Sequence, residues 1–229
     1  MSLKVYELAA ADPAIRFSPH CWRTRMAIAH KGLEVDYLPW RFTEKERIQA
    51  SGQGLVPVLV DGEAWVADSG TIADHLDRRY PDRPLFACPQ SRAHARFLET
   101  WVSRVLHPQI LRQIIGDLFT LIDAGDKAYF RESREKRFGT TLEALSEGAD
   151  AALPALKATL DPLRATLEAQ PFFGGEASSY ADYAVFGAFQ WARVSSPKEL
   201  LDAGDPITAW RERMLDAFDG EARAMPARG

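Results

Sequence analysis

Every strand-like pattern in this 229-residue chain lies before position 68, and the long patterns after position 91 repeat at helical spacing. A proline-rich stretch, Pro81 to Gln90, separates the two regimes. Strands that end so early must form one small sheet with its own helices, while the remainder must bury its apolar stripes helix against helix. The expected architecture is an α/β domain over 1–82, a linker over 83–90 and an all-helical domain over 91–229.

Lys4 to Leu8 alternates apolar and polar residues and reads as a strand, followed by a loop from Ala9 to Arg16. Ser18-Pro19 is a helix start, with an N-cap serine and a proline preset for the first helical position. His30-Lys31-Gly32 supplies basic residues for the last turn and a glycine to end it. Gly32 to Leu38 then gives a turn and an alternating strand, which Pro39 is expected to end. That β-α-β succession implies a parallel pair with a right-handed crossover. Trp40 to Ala50 is polar and weakly helical. Val58 to Val60 is a strand, Asp61-Gly62 a hairpin turn, Glu63 to Ala67 the return strand, and Asp68-Ser69 the start of a helix through Leu76 to Tyr80.

Beyond the linker, Ala93 to Asp123 carries an apolar stripe through Phe97, Trp101, Val105, Ile110, Ile114 and Leu118, with a kink expected at Pro108. Tyr129 to Gln170 reads as a second helical stretch interrupted near Pro154 and Pro162, and Phe172-Phe173-Gly174-Gly175 breaks it. Ser179 stands three residues ahead of Asp182, a near capping box that opens an apolar helix to Val194. Pro206 to Phe218 is the last helix, and the tail beyond it is expected to be loose.

Hydrophobic residues make up 46% and charged residues 26% of the chain, an ordinary globular balance. A net charge of -4 argues against a nucleic-acid partner, and no apolar run reaches membrane-spanning length. The N-terminus lacks the apolar core of a secretion signal. With Cys21 and Cys88 alone there is no disulfide framework, which fits a reducing cytoplasm. The histidines show no metal-ligand spacing, so no metal is expected.

Chemistry concentrates at Phe17-Ser18-Pro19-His20-Cys21. A serine at a helix N-terminus can donate its hydroxyl proton where backbone N–H groups and the dipole favour negative charge, a site suited to a thiolate or carboxylate. Taken alone, the same residues read as a plain helix cap, and so does Asp68-Ser69. Cys21 lies a turn inside the helix and reads as a small buried hydrophobe, His20 as facing solvent, and Tyr6 as a packed strand residue. Pro57 cannot donate to the sheet, so it leaves an open edge at Val56; the Val56-Pro57 bond is a candidate for cis, although an isolated X-Pro pair favours trans.

The order of these elements, with Leu55-Val56-Pro57-Val58-Leu59, Asp68-Ser69 before Ile72-Ala73, and Ser179-Tyr180-Ala181-Asp182-Tyr183, resembles the cytosolic glutathione transferases over nearly the whole chain. Phe17-Ser18-Pro19, Trp22-Arg23-Thr24 and Tyr80-Pro81-Asp82-Arg83-Pro84 look most like the bacterial β-etherase-like branch. The resemblance implies a thioredoxin-like first domain and an all-α second domain. It implies Ser18 as the residue that hydrogen-bonds the glutathione sulfur, Val56 with Pro57 as the backbone site for the cysteinyl unit, and Asp68 with Ser69 as the γ-glutamyl site. Ser179 and Asp182 match a folding motif. Leu55 replaces a lysine found in several classes, so the glycyl carboxylate needs another partner, Gln53 or Arg41. The hydrophobic electrophile is expected against Trp101, Val105, His107 and Leu111. Serine at 18 disfavours dithiol exchange, and a homodimer is a family expectation. Transfer to an electrophile, including aryl ether cleavage, is the leading reading. Glutathione-dependent isomerisation and a noncatalytic ligand-binding role are its rivals.

Overall fold

A computed structural model describes residues 3–228. Four strands, β1 (Leu3–Leu8), β2 (Val35–Trp40), β3 (Val58–Asp61) and β4 (Ala64–Ala67), form one sheet in the order β2-β1-β3-β4. β1 and β2 run parallel, joined by α1 (Pro19–Lys31), while β3 is antiparallel to both β1 and β4. With α2 (Ser69–Arg79) after β4, this is the thioredoxin-like arrangement. β2 does not stop at Pro39. It pairs with β1 as far as Trp40, because β2 is an edge strand and Pro39 loses no ladder partner on its open side.

The rest is helical: α3 (Pro89–Trp101), α4 (His107–Leu121), α5 (Lys127–Phe138), α6 (Leu142–Glu147), α7 (Ala149–Thr159), α8 (Asp161–Ala169), α9 (Tyr180–Ser195) and α10 (Pro206–Gly220). Short 3-10 turns occupy Lys45–Ser51 and Ala124–Asp126. α10 loses helical dihedrals at Ala217, Phe218 and Asp219. Among the described residues no helix is long and apolar enough to cross a membrane.

Several expectations are corrected here. Val102–Leu106, between α3 and α4, is a π turn just ahead of Pro108, so the regular α-helical repeat is interrupted where the proline enters. The wider turn shifts the helical register, and the stripe drawn at 3.6 spacing splits: Phe97 is 67% and Val105 37% exposed, while Ile110, Ile114 and Leu118 are buried. The stretch 129–170 breaks at Gly139, Gly148 and Leu160, whereas Pro154 lies inside α7. The C-terminal tail is packed, not loose. Ala222 and Met225 are buried, Gln190 Nε2 donates to the Ala222 carbonyl at 2.8 Å, and Arg193 donates to the Met225 carbonyl at 2.8 Å.

α9 is the pillar between the two halves. Nearly all of its residues are buried, and it packs on α1, α3 and α4. Gly187 sets the approach of α1: a Cβ there would overlap the Pro19 carbonyl oxygen, so the start of α1, and Ser18 with it, is seated directly on the pillar. The pillar begins in a full capping box. Asp182 accepts from the Ser179 backbone at 3.0 Å, from Phe173 and Gly174 N–H at 2.8 and 3.0 Å, and from Trp210 Nε1 at 2.9 Å. Burial raises the Asp182 pKa while these donors pull it back.

Candidate functional site

The sheet topology places the site. Because β3 is antiparallel to β1 and Tyr6 pairs with Val58, the residues just before Val58 lie beside the C-terminal end of β1. There the Val56-Pro57 peptide is cis. The loop after β1 is pinned: Ala9 bridges Arg16, Ala10 N–H donates to the Ile15 carbonyl at 3.0 Å, and Trp22 Nε1 donates to the Arg16 carbonyl at 3.0 Å. That delivers Phe17 and Ser18 to the head of α1 beside Val56.

Ser18 is the N-cap of α1, buried, with its Oγ accepting from Cys21 N–H at 3.4 Å. A hydroxyl that accepts through a lone pair keeps its proton for another partner. It opens onto a cavity of about 270 Å³. On one side stand Leu8, Phe17, Ser18, His20, Leu55 and Val56, and facing them are His107, Leu111, Leu118 and Phe130 from the helical half. Phe42, Trp191, Arg134 and Arg137 complete the wall. Cys21 points away and is inert, its thiol pushed up to about 12 by burial.

Asp68 caps α2, its Oδ1 accepting from Gly70 and Thr71 N–H at 3.1 and 3.0 Å and from the Thr71 hydroxyl. Its other carboxylate oxygen takes none of these donors, and its φ of 74° turns the chain sharply into the helix. Ser69 is buried and gives its hydroxyl to Glu99 Oε1 at 3.1 Å, leaving its backbone N–H at the dipole end.

Of the positions expected around the cavity, His107 and Leu111 line it; Trp101 and Val105 do not, because the π turn rotates them off that face. Arg41 is also elsewhere. Its guanidinium reaches the Ala11 carbonyl at 3.1 Å and Asp123 at 3.6 Å, tying the end of β2 to the loop and to the segment after α4. Gln53 is half-buried in the turn before Leu55, outside the cavity wall, and its backbone N–H is held by Ser51 Oγ at 3.4 Å. His20, expected to face solvent, lines the cavity instead, Nδ1 meeting Arg23 Nη1 at 3.2 Å and its ring meeting His107 edge-on.

Behind this wall lies a polar cluster that no short motif announces. Arg23 is buried and reaches the Ala184 carbonyl at 3.3 Å, Ser103 Oγ at 3.2 Å, His107 Nε2 at 3.5 Å and Glu99 at 3.5 Å. Glu99 also accepts from Tyr180 OH at 3.2 Å and Arg96 at 3.1 Å. One carboxylate thus joins Ser69 to the arginine that orients His20. Three further cations have no local sequence signal: Arg134 and Arg137, which line the cavity, and Lys45, whose stem lies along Gly54 with its Nζ over the Tyr129 ring at 4.9 Å. An arginine one turn from Pro19, Met26 and Ala27, all buried on the same helix, is the signal that could have found Arg23. Among the described residues no cluster of His, Cys, Asp or Glu is suited to a metal.

Both cavity histidines are neutral at ordinary pH. Burial, then Arg23, then Arg137 lower His20 to about 3, and burial with Arg23, His20 and Arg137 holds His107 well below its usual value. Unfolded histidines take a proton below about 6.5. Between that value and about 3 the unfolded chain therefore binds more protons than the folded one, and stability rises with pH across this window. Urea midpoints measured from pH 4 to pH 7 should rise, and His107→Phe should reduce the slope; an equal slope in the variant would assign it to other groups.

Family profiles described as the C-terminal and N-terminal domains of glutathione S-transferase match residues 93–218 and 13–84. The glutathione S-transferase-like protein ustS of Aspergillus flavus is 28% identical over 69% of this chain, which spans 57% of that protein's length. Glutathione S-transferase U28 of Arabidopsis thaliana is 25% identical over 87% of this chain and 81% of its own. Among solved structures, a glutathione S-transferase of Ceriporiopsis subvermispora in complex with glutathione superposes with TM-score 0.82 at 22% identity, covering 96% of this chain and 98% of that one. Glutathione transferase GSTFuA3 of Phanerochaete chrysosporium gives TM-score 0.79 at 24% identity, covering 98% and 94%. At such identities the superpositions speak for the fold. Both halves of the chain match in order, and the chain belongs to the glutathione S-transferase family.

Proposed function

We propose that this protein is a glutathione-dependent transferase in which Ser18 holds the glutathione sulfur as a thiolate for attack on a hydrophobic electrophile. The observation that carries the reading is the position of Ser18, an N-cap hydroxyl that opens directly onto an apolar cavity between the two halves of the chain. A free thiol titrates near ~8.5, so at neutral pH it is mostly protonated. A hydroxyl donor and a helix N-terminus both favour the anion and lower that pKa. The thiolate attacks carbon, the new sulfur–carbon bond forms as the bond to the leaving group breaks, and the thiol proton has gone to solvent.

The remaining parts of glutathione have matching groups. The Val56 backbone before Pro57 suits the cysteinyl amide. Ser69 N–H at the head of α2 suits the γ-glutamyl carboxylate, with the unengaged oxygen of Asp68 for its ammonium. Lys45, whose stem lies along Gly54, joins Gln53 as a candidate partner of the glycyl carboxylate, whereas the Arg41 guanidinium is engaged by the Ala11 carbonyl and Asp123. The aromatic lining from Phe42, Phe130 and Trp191 suits an aryl electrophile, for which aryl ether cleavage is one reaction. The exposed Phe97 on α3 favours a homodimer, and the paucity of cysteine favours a cytoplasmic location.

Calorimetric titration with glutathione and with S-methylglutathione, followed by assay with a chlorodinitrobenzene, tests the reading. Both should bind, and only glutathione should support chloride release, one conjugate per glutathione consumed. Binding without turnover of any electrophile would make this a ligand-binding protein. Turnover that returns glutathione unconsumed would make it an isomerase.

A further inference from the structure

The cavity that meets Ser18 is apolar over most of its wall, yet two arginines line it, the half-buried Arg134 and the exposed Arg137, with no acid among the lining residues. Arg134 and Arg137 stand one turn apart on α5, so they share a face. Arg134 stacks on Phe130 and Phe42, its Cζ 4.4 and 5.1 Å from the ring centres, and donates to Ser133 Oγ at 2.8 Å. Among the described residues neither arginine has a carboxylate partner, and no aspartate or glutamate lines the cavity. The contrast with the same helix is direct. Arg131, one turn earlier, holds Glu135 at 2.8 Å and Glu143 at 2.7 Å.

A charge taken from water into an apolar cavity is costly unless something compensates it, and here that cost falls on Arg134, since Arg137 is exposed to solvent. The two neighbouring histidines do not, being neutral, and the pair repels itself: after burial, Arg137 is among the causes that lower Arg134, though a guanidinium keeps its proton in proteins. What completes such a site is an anion brought by the ligand. A planar carboxylate is the best match to guanidinium geometry. Because Arg134 is framed by Phe42 and Phe130, the anion must ride on an apolar body that contacts those rings.

We propose that Arg134 and Arg137 select an electrophile carrying a carboxylate on an aromatic body, and that they orient its reactive carbon toward the sulfur held at Ser18. The inference rests on the glutathione-transferase reading and narrows its substrate class. An acid of this kind could also be the glycyl carboxylate of glutathione itself, and the experiment separates the two sources.

The probes are a chlorodinitrobenzoate and its uncharged methyl ester, each reacting with glutathione by the same displacement of chloride. Intrinsic reactivity cancels when the acid-to-ester ratio of kcat/KM is compared between proteins. In Arg137→Ala and in Arg134→Lys that ratio should fall, about tenfold for loss of one charge-assisted contact in the alanine variant, and less in the lysine variant, which keeps the charge. The KM for glutathione should move little. A ratio unchanged in both variants would overturn the proposal, and so would a raised KM for glutathione with an unchanged ratio, which would assign the arginines to the glycyl end. A second readout needs no turnover: quenching of tryptophan fluorescence by dinitrobenzoate and by dinitrobenzamide. Wild type should bind the acid more tightly and Arg137→Ala should lose the preference, whereas equal binding of the two would sink the proposal even if the protein proves to be no transferase. Failure of glutathione to bind, with the acid preference intact, would overturn the transferase reading alone.

Discussion

Replacing Asp182 with alanine should destabilise the protein by about 3–5 kcal/mol, among the largest effects of any single change in the helical half. The carboxylate is fully buried and accepts from Phe173, Gly174 and Ser179 backbone N–H groups and from Trp210 Nε1, so its removal leaves four donors without a partner. Each such donor, buried and unpaired, costs about 1–3 kcal/mol, partly recovered by relaxation. The loss also propagates. Trp210 packs against Phe173, Phe186 and Phe189, and α9 carries α1 on Gly187. Asp182→Asn retains one acceptor oxygen but turns an amide toward backbone N–H groups, so it should fall between wild type and alanine. Urea denaturation followed by far-ultraviolet circular dichroism measures both; a loss below 1 kcal/mol in the alanine variant would mean that the box is not what holds α9 in place.

Ser18→Ala should lower kcat/KM by about 10–100-fold at pH 6.5, with the deficit shrinking toward pH 9. The magnitude follows from one hydrogen bond to a charged sulfur, about 1.5–3 kcal/mol, or about one to two pKa units. Near neutrality that shift decides whether the bound thiol is mostly ionised. Above its ordinary value of ~8.5 the thiol ionises unaided and the serine matters less. The neutral cavity histidines should add no inflection near their ordinary value. The Ser18 hydroxyl accepts only the 3.4 Å contact from Cys21 N–H, so its removal should cost the fold little. A deficit constant from pH 6.5 to pH 9 would mean that Ser18 acts on geometry rather than ionisation.

What the sequence revealed and what it hid follow the range of the interactions involved. α1 was legible to the residue because its signals are local: Ser18, Pro19 and Gly32 each act on the turn they occupy. The same holds for the Asp61-Gly62 hairpin and the Ser179–Asp182 box. β2 ran past Pro39 because tolerance of proline depends on which strand is at the edge, a property of the whole sheet. Trp101 and Val105 were placed on the wrong face because a single wide turn changed the register that periodicity assumes constant. The site shows the same division. Ser18 and Asp68-Ser69 are helix starts and could be picked out, whereas Arg23 and Glu99 are 76 residues apart and meet only because α1 and α3 both pack on α9. Arg134 reads as one charge in a charged helix until the fold turns it toward Phe42. The tail reads as loose by composition, yet Met225 is buried, its sulfur accepting from Arg16 N–H and its carbonyl from Arg193, partners more than thirty residues away.

The ionisation of glutathione at Ser18 is the claim from which the rest of the chemistry follows, and its most direct test is the ultraviolet thiolate absorbance of bound glutathione titrated against pH. Wild type should titrate about one to two units below the free value of ~8.5, and Ser18→Ala should return to that value while still binding glutathione. A wild-type titration at the free-thiol value, with glutathione demonstrably bound, would contradict thiolate activation by this helix start.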